Sequence, residues 1–251
     1  MNRQLIYNIA ELKLFTDRVG LIYGTEDWCM FLYALAKMHA PKHVLELGFG
    51  VGPCALWLAQ AVRENGVGHV YTVDDGRDWE KVLSDNESVF TPTEKIPVFS
   101  NYVKYVRERF GLTEQLTHIA HSMPPFPRID QPIDMLFSDF MHGPNDILQI
   151  LGTYLAGMAS ASSIFIDSAS TSFPSYALLE LLVPQLNQGR VPQMLLECIP
   201  EAQLEATWKL VRASRFDLIH MTEHKRRVQN STAWIKIQPL DLRAYPRTVF
   251  H

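Results

Sequence analysis

The sequence predicts an α/β protein with a doubly wound, mostly parallel sheet that ends in an antiparallel hairpin. Short apolar segments alternate with helical patterns along the chain, which is typical of a parallel sheet covered by helices on both faces. The end of the chain, "RFDLIHMTEHKRRVQNSTAWIKIQPL", contains two apolar segments separated only by a polar turn. Because no crossover helix fits between them, these two strands must run antiparallel.

Five short apolar segments are the predicted parallel strands, and their near-continuous apolar character suits strands buried on both faces. They are Val44–Leu47, His69–Val73, Thr117–Ala120, Asp134–Ser138 and Ser163–Ile166. Helical patterns fall between them, most clearly in Pro53–Arg63 and Tyr102–Phe110.

Two helical regions accompany this sheet in a single predicted domain over residues 1–251. Residues 1–40 form a helical lead-in, in which Thr25 is a plausible N-cap for the helix before the first strand. Residues 176–214 form a helical insert, which is longer than a typical connection. The part of the insert near Pro192–Pro200 and the long loop 84–102 are the natural places for contacts with the acceptor and for packing of a homodimer.

Composition narrows the choice of partners and compartment. The formal net charge of −4 and the pI of about 6.1 argue against a nucleic-acid partner, and we interpret the basic run His224–Arg227 as a solvated turn. Three scattered cysteines without a C-x-x-C pair indicate a reducing compartment and give no zinc signature.

No membrane segment is expected either. The N-terminal stretch lacks the apolar region of a signal peptide. The most apolar window, Ile147 to Ile166, is interrupted by glycine and serine in "GTYLAGMASASS", so we interpret it as a helix, a turn and a buried strand of the core. These features together predict a cytoplasmic protein.

The stretch "HVLELGFGVGPCALWLAQAV" combines a strand, a glycine-rich turn and a helix. Its glycines, Gly48, Gly50 and Gly52, follow a G-x-G-x-G spacing, whereas the dinucleotide fingerprint requires G-x-G-x-x-G. Since glycine has no Cβ, such a turn lets the backbone approach a ligand closely. The turn therefore predicts a small-molecule site without naming its ligand.

Charged residues around the turn narrow the ligand. Glu46 directly precedes the turn, where a carboxylate disfavours a pyrophosphate at the helix N-terminus, and no Lys or Arg lies in residues 48–62. Asp74 and Asp75 end the next strand, where an acid can accept hydrogen bonds from both ribose hydroxyls. A ligand with a ribose, no phosphate and a positive charge fits S-adenosylmethionine, and a nicotinamide dehydrogenase is disfavoured.

Two segments of the chain resemble motifs of a known enzyme family. "VLELGFGVG" followed by "VYTVDD" resembles the first two motifs of class I S-adenosylmethionine-dependent methyltransferases. The resemblance implies a Rossmann-like, seven-stranded sheet with a C-terminal antiparallel hairpin, in agreement with the strand order above. "IYGTED", "VLELGFGVGPCA", "PIDMLFSDFMHG" and "IFIDSAS" are similar to segments of the small-molecule O-methyltransferases of the catechol and caffeoyl-coenzyme A type.

The resemblance implies roles for individual residues. Together with the glycine turn and its acids, the predicted cofactor contacts are Tyr23, Gly24, Glu46, Gly48, Gly50, Gly52, Asp74, Asp75, Ser122 and Asp139. Asp139 and Asp167 match the two aspartates that bind a divalent metal, Mg²⁺, in that family. Ser168 stands where the family has an asparagine ligand, and His142 stands where it has a catalytic lysine.

Two routes for removing the acceptor proton stay open. Asp139 and Asp167 could hold Mg²⁺, which lowers the pKa of a bound hydroxyl. Alternatively His142 is a general base beside Asp139, and all three side chains converge on one pocket. Because serine is a poor substitute for an amide oxygen, the metal-free route is favoured.

Plainer interpretations compete with these roles. Asp139 could cap the following helix, although Asn145 is available for that, and His142 could be a solvated loop residue. Trp79 could stack on the adenine or belong to the core.

The predicted function is methyl transfer from S-adenosylmethionine to the oxygen or nitrogen of a small-molecule acceptor. Two alternatives are an enzyme that uses S-adenosylmethionine without methyl transfer, and a catalytically silent methyltransferase-like subunit.

Overall fold

A computed structural model describes the chain over residues 3–20, 22, 26–223 and 230–240. Tyr23, Gly24, Thr25 and the basic run 224–227 lie outside the described residues, and the predictions for them stay predictions. The helices are α1 Arg3–Val19, α2 Glu26–His39, α3 Pro53–Asn65, α4 Trp79–Asp85, α5 Phe99–Arg109, α6 Pro144–Tyr154, α7 Phe173–Asn187, α8 Gln193–Leu196 and α9 Leu204–Ala213.

Seven strands form one sheet with the order β3-β2-β1-β4-β5-β7-β6. They are β1 His43–Leu47, β2 His69–Val73, β3 Leu116–Ile119, β4 Ile133–Ser138, β5 Met158–Asp167, β6 Ser214–Thr222 and β7 Ser231–Pro239. The predicted fold class, including the antiparallel C-terminal hairpin, is confirmed. The chain divides into two compact units: of the described residues, the first unit holds those up to Phe140 and Glu223, and the second holds Met141–Thr222 and 230–240.

In the first unit, β1 pairs in parallel with both β2 and β4, and β2 pairs in parallel with β3. Helix α3 is buried along residues 53–62 and packs against α1 and α2. The fully buried Trp57 of α3 donates a hydrogen bond of 2.8 Å from Nε1 to the hydroxyl of Thr16 on α1. The lead-in helices are therefore part of the core of this unit.

A buried charge network holds α1 to the loop before α5. The carboxylate of Glu94, which is fully buried, accepts two hydrogen bonds of 2.6 Å from the guanidinium of Arg18 and a third of 2.6 Å from Arg109. The backbone N–H of Thr91 donates a fourth, at 2.8 Å. A buried carboxylate is tolerated only with such partners, so Glu94 organises the predicted long loop.

In the second unit, β7 pairs antiparallel with both β5 and β6. Helix α7 packs against β6, where Asn187 bonds to both backbone groups of Phe216. Its amide donates to the Phe216 carbonyl at 2.7 Å and accepts from the Phe216 N–H at 2.8 Å. Among the described helices, none combines the length and apolarity needed to cross a bilayer.

One local prediction is wrong. Helix α6 has Gly143 as its N-cap, so neither Asn145 nor Asp139 caps it. Pro144 occupies the first helical position, which its fixed φ favours, and this places the helix start before Asn145. Asp146 accepts a hydrogen bond of 3.1 Å from the Gly143 N–H instead.

Candidate active site

The glycine turn lies where several strands of the first unit end. The N–H of Gly48 donates to the Val73 carbonyl at 2.9 Å, and the N–H of Asp139 donates to the Leu47 carbonyl at 2.9 Å. The carboxyl ends of β1, β2 and β4 therefore meet around the turn. Open α/β sheets bind their ligands outside these strand ends.

Two glycines are required by this geometry. Gly48 has a φ of +92°, and a Cβ there would lie 2.7 Å from the carbonyl oxygen of Asp139. Gly52, also at +92°, is the N-cap of α3, and a Cβ there would lie 2.3 Å from the ring of Phe49. Gly50 has a φ of +56°. Any side chain at Gly48 or Gly52 would displace the turn.

The carboxylate of Asp74 clasps the glycine turn. Its Oδ2 accepts hydrogen bonds from the backbone N–H groups of Phe49 at 2.9 Å and Gly50 at 3.1 Å. Its Oδ1 accepts from the N–H of Gly76 at 2.8 Å. Since each carboxylate oxygen has two lone pairs, Asp74 retains capacity for a ribose hydroxyl. This clasp is a role that the sequence did not predict.

Asp75 and Ser122 are brought together by Arg77. Asp75 accepts a hydrogen bond of 2.5 Å from the Ser122 hydroxyl and one of 3.0 Å from Arg77, and Arg77 also donates to Ser122 at 2.8 Å. Although burial raises it, the pKa of Asp75 is lowered to about 2 by the bonds from Ser122 and Arg77. Sequence reasoning missed Arg77, whose signal was its position two residues after an acid at a strand end.

Glu46 is buried at the end of β1, with 1% of its surface exposed. The hydroxyl of Thr72 donates to it at 2.5 Å, and the backbone N–H of Ala55 in the first turn of α3 also donates to it. Burial raises the pKa of this carboxyl to about 8, the bond from Thr72 opposes that rise, and the charge of nearby Asp74 adds to it. Burial therefore favours the neutral form of this carboxyl, and a cation placed nearby would favour the ionised form.

An aromatic cluster packs against the glycine turn through Phe49, whose ring lies 6.0 Å from that of Phe99. Trp79 is 4% exposed, donates from Nε1 to the Ile96 carbonyl at 2.8 Å and lies 4.3 Å from the Tyr102 ring. It belongs to the core, so stacking of Trp79 on an adenine is ruled out in this conformation. His118 lies against Phe99, with its Nε2 2.8 Å from the Asp74 carbonyl oxygen.

The second unit carries the remaining predicted site residues. The Ser168 hydroxyl donates to Asp167 at 2.7 Å, and Ser168 has a φ of +58°, which is uncommon for a residue other than glycine. His142 is half-buried before α6, and its carbonyl accepts a bond of 2.5 Å from the Ser175 hydroxyl. Asp139 belongs to the first unit, and its convergence with His142 and Asp167 stays a prediction.

The predicted metal site depends on Asp139, Asp167 and the residue at position 168. Within residues 3–20, 22, 26–223 and 230–240, no three His, Cys, Asp or Glu side chains form a group that could hold a metal ion. The position of the expected amide ligand is filled by Ser168, whose hydroxyl is engaged with Asp167. Since Mg²⁺ keeps several waters and binds through one or two carboxylates, Asp139 and Asp167 could suffice, and the metal site stays a prediction.

The charge around the turn suits a cation. Glu46 and Asp74 interact electrostatically, and the pKa of the Cys54 thiol is raised by its contact with Cys29, by burial and, less strongly, by the charges of Glu46 and Asp139. Asp74 binds the turn directly, Glu46 precedes it, and segment 48–62 contains no Lys or Arg, although Arg77 neutralises part of the charge of Asp75. A ligand with a positive charge and no phosphate is favoured there.

Comparison with known proteins agrees with this geometry. Residues 45–169 match the model of a family described as a methyltransferase domain. This match spans the glycine turn, both acids after β2, and the ends of β4 and β5. Together with the fold, this match supports the predicted class I, S-adenosylmethionine-dependent methyltransferase. No curated protein matches the chain.

Solved structures share the fold at low sequence identity. One of them is the O-methyltransferase TomG from Streptomyces achromogenes, which is involved in tomaymycin synthesis and was solved with S-adenosylmethionine. It is 14% identical to this chain with a TM-score of 0.53, and the match covers 95% of this chain and 91% of the TomG chain. An O-methyltransferase from Bacillus cereus, in complex with S-adenosylhomocysteine, is 12% identical with a TM-score of 0.53. That match covers 95% of this chain and 92% of the Bacillus cereus chain. The Podospora anserina methyltransferase PaMTH1, bound to S-adenosylhomocysteine, is 13% identical with a TM-score of 0.51, covering 96% and 89%.

Proposed function

We propose that the protein transfers the methyl group of S-adenosylmethionine to a hydroxyl oxygen of a small molecule. The observation that carries this proposal is the glycine turn without basic residues, to whose backbone Asp74 binds and which the buried Glu46 precedes. The sulfonium and the α-amino group of the cofactor supply the positive charge that this site favours. The bound cofactors of the TomG and Bacillus cereus structures support the choice of ligand.

An oxygen acceptor is supported by the O-methyltransferases among the similar structures. A small acceptor also agrees with the net charge of −4, which argues against a nucleic-acid partner. The protein then has two tasks: to align the acceptor with the sulfonium for in-line displacement, and to remove the acceptor proton.

For the second task we assign His142 as the general base. Histidine is the side chain most often used as a general base, and the family resemblance places His142 at the position of the catalytic lysine. Methyl transfer then forms the bond from the acceptor oxygen to carbon and breaks the bond from carbon to sulfur. The proton passes to the imidazole, and S-adenosylhomocysteine leaves uncharged at sulfur.

The experiment uses isotope-labelled S-adenosylmethionine and a panel of phenolic and aliphatic alcohols, with products identified by mass spectrometry. We expect a methyl ether, full activity with a chelator, and a loss of about 10²–10⁴-fold in kcat for His142→Asn. The matched control, His39→Asn on the exposed end of α2, should keep the wild-type rate.

Each other outcome decides against part of the proposal. Absence of cofactor binding would refute the cofactor site. Consumption of cofactor without a methylated product would indicate different chemistry, and binding without consumption of any kind would indicate a silent subunit. Loss of activity with a chelator and its return with Mg²⁺ would transfer the role of His142 to a metal.

A further inference from the structure

Three polar side chains of the second unit form a continuous hydrogen-bonded chain. The hydroxyl oxygen of Ser170 lies 2.8 Å from Nδ1 of His220, and Nε2 of the same imidazole lies 3.2 Å from Oε1 of Glu180. Ser170 follows β5, Glu180 belongs to α7 and His220 belongs to β6. Neither the glycine turn nor the proposed methyl transfer uses these side chains.

The direction of each hydrogen bond follows from the chemistry of the groups. An ionised carboxylate only accepts, so Nε2 must carry a proton that it donates to Glu180. The neutral imidazole then has its lone pair on Nδ1, and the Ser170 hydroxyl must donate to it. A serine that donates to an imidazole oriented by a carboxylate is the arrangement that activates a nucleophilic hydroxyl, and it is recognised by geometry rather than by position in the chain.

The backbone around Ser170 is held in place. Ser168 adopts a left-handed φ of +58°, and its N–H donates to the Ser231 carbonyl at 2.6 Å. The N–H of Thr171 donates to the Ser231 hydroxyl at 3.0 Å. Strain of this kind in a residue other than glycine persists only where surrounding contacts fix it, and it is common at functional sites.

The other two members are also positioned by regular structure. His220 is paired with Ala233 in the β6–β7 ladder, and its ring lies 4.5 Å from the ring of Tyr176. The side chain of His220 is 21% exposed and that of Glu180 is 48% exposed, so solvent and small molecules reach the group. The exposed aromatic rings of Tyr176 and Phe173 provide an apolar surface on the first turn of α7.

We propose that Ser170 is a nucleophile, activated by His220 and Glu180, that accepts the acyl group of small aromatic esters. The Ser170 oxygen forms a bond to the ester carbonyl carbon while its proton moves to Nδ1 of His220. The bond from that carbon to the alcohol oxygen breaks, His220 gives its proton to that oxygen, and the alcohol leaves. Water then attacks the acyl-serine and loses one proton to Nδ1 of His220. The bond from the acyl carbon to the Ser170 oxygen breaks, that oxygen takes the proton from His220, and one ester and one water have become an acid and an alcohol.

The test incubates the full chain with p-nitrophenyl acetate and, separately, with a fluorophosphonate probe. We expect a burst of one p-nitrophenolate per chain and a single acetyl or phosphonyl group on the peptide that contains Ser170. Ser170→Ala should abolish both signals. His220→Gln should slow acylation by about 10²–10⁴-fold, as expected when a general base is lost.

A matched control separates activation from general reactivity. Ser172 lies two residues further along the same turn, and its hydroxyl contacts Ser175 at 3.2 Å and makes no capping bond to α7. Ser172→Ala should therefore keep the burst and the label. If His220→Gln does not fold, Glu180→Gln at the half-exposed position serves instead, with slower acylation and an unchanged melting temperature.

Three results would overturn the proposal. They are equal labelling of wild type and Ser170→Ala, acyl groups found only on lysines, and unchanged acylation in both His220→Gln and Glu180→Gln. Because these signals require neither S-adenosylmethionine nor an acceptor, they do not depend on the proposed methyl transfer.

Discussion

Asp74 at the end of β2 fixes the backbone of Phe49 in the glycine turn, with Oδ2 lying 2.9 Å from the Phe49 nitrogen. The same carboxylate is the predicted ribose acceptor. One side chain thus shapes the turn and, in our proposal, binds the ligand that the turn holds.

Replacing Asp74 with Asn should weaken both functions. The new amide group places donors opposite backbone donors, and hydrogen bonds to a charged group contribute about 1.5–3 kcal/mol each. We expect at least a tenfold weaker affinity for S-adenosylhomocysteine by calorimetry and a lower unfolding free energy. Asp78→Asn is the control, because exposed Asp78 makes no capping bond to α4. Equal affinities of wild type and Asp74→Asn would contradict the assignment.

Glu46 should make stability depend on pH. Its pKa is raised from 4.5 to about 8 in the folded protein, so between these values the folded state holds one proton more than the unfolded state. This contribution to stability is complete below pH 4.5 and is lost as the pH rises through about 8. Denaturant titrations should show a decline of at most about 1.4 kcal/mol per pH unit in wild type that is absent in Glu46→Gln.

The exposed Glu80 of α4 provides the comparison for that experiment. Glu80→Gln should keep the wild-type slope, and an equal slope in Glu46→Gln would show that another group carries the dependence.

Cofactor binding should release a proton from Glu46. A cation at the glycine turn favours the ionised carboxyl and so lowers its pKa. Calorimetry near pH 7 in buffers of different ionisation enthalpy should report proton release on binding of S-adenosylmethionine. Proton release should be smaller for Glu46→Gln, whereas an identical value in both proteins would place the proton elsewhere.

Loss of the Glu94 charge should lower the free energy of unfolding. Burial raises its pKa, yet the bonds from Arg18 and Thr91 outweigh burial and hold that pKa below its usual value. Breaking one side of a buried ion pair costs about 3–5 kcal/mol, which we expect for Glu94→Ala in chemical unfolding. This contribution is present above the unfolded pKa and is lost as the pH falls through the lower folded value.

The paired control for that variant is Glu87→Ala. Glu87 contacts Lys95 at 2.7 Å, but both side chains are exposed, so its loss should change the unfolding free energy by less than about 1 kcal/mol. Similar losses in the two variants would show that the network around Glu94 contributes little.

The three cysteines should differ in reactivity. Cys29 and Cys54 are 0% and 4% exposed and in mutual contact at 3.6 Å, and that contact together with burial raises the pKa of Cys54. Cys198 is only half-buried. A thiol reagent should modify one cysteine in the native protein and three after unfolding, and Cys198→Ser should lack the native reaction. Rapid modification of two thiols would contradict this burial.

The sheet was predictable because its central strands are apolar on both faces. His69–Val73 agrees with its prediction at both ends. Strand β5 begins at Met158, five residues before the predicted start, because "ASASS" lacks an apolar signal although it continues the strand. Helix α5 likewise starts at Phe99, directly after the break at Pro97 and Val98, rather than at Tyr102.

The cofactor side of the site was predictable because its residues are adjacent in the sequence to strand ends. Long-range contacts were not. Glu94 meets Arg18 across 76 residues and Ser170 meets His220 across 50, and no local pattern indicates such pairs. The same limit applies to Asp74. Its position after a strand suggested a ligand contact, but its hydrogen bond from the Phe49 N–H depends on how the chain folds in three dimensions.

Asn187 has a consequence for solubility. Strand β6 stands last in the strand order, and such an end strand offers unpaired backbone groups to the edge strand of any other molecule. By bonding to both the N–H and the carbonyl of Phe216, the Asn187 side chain takes the place that a neighbouring strand would fill. One amide thus interrupts a template along which copies of the protein would otherwise aggregate.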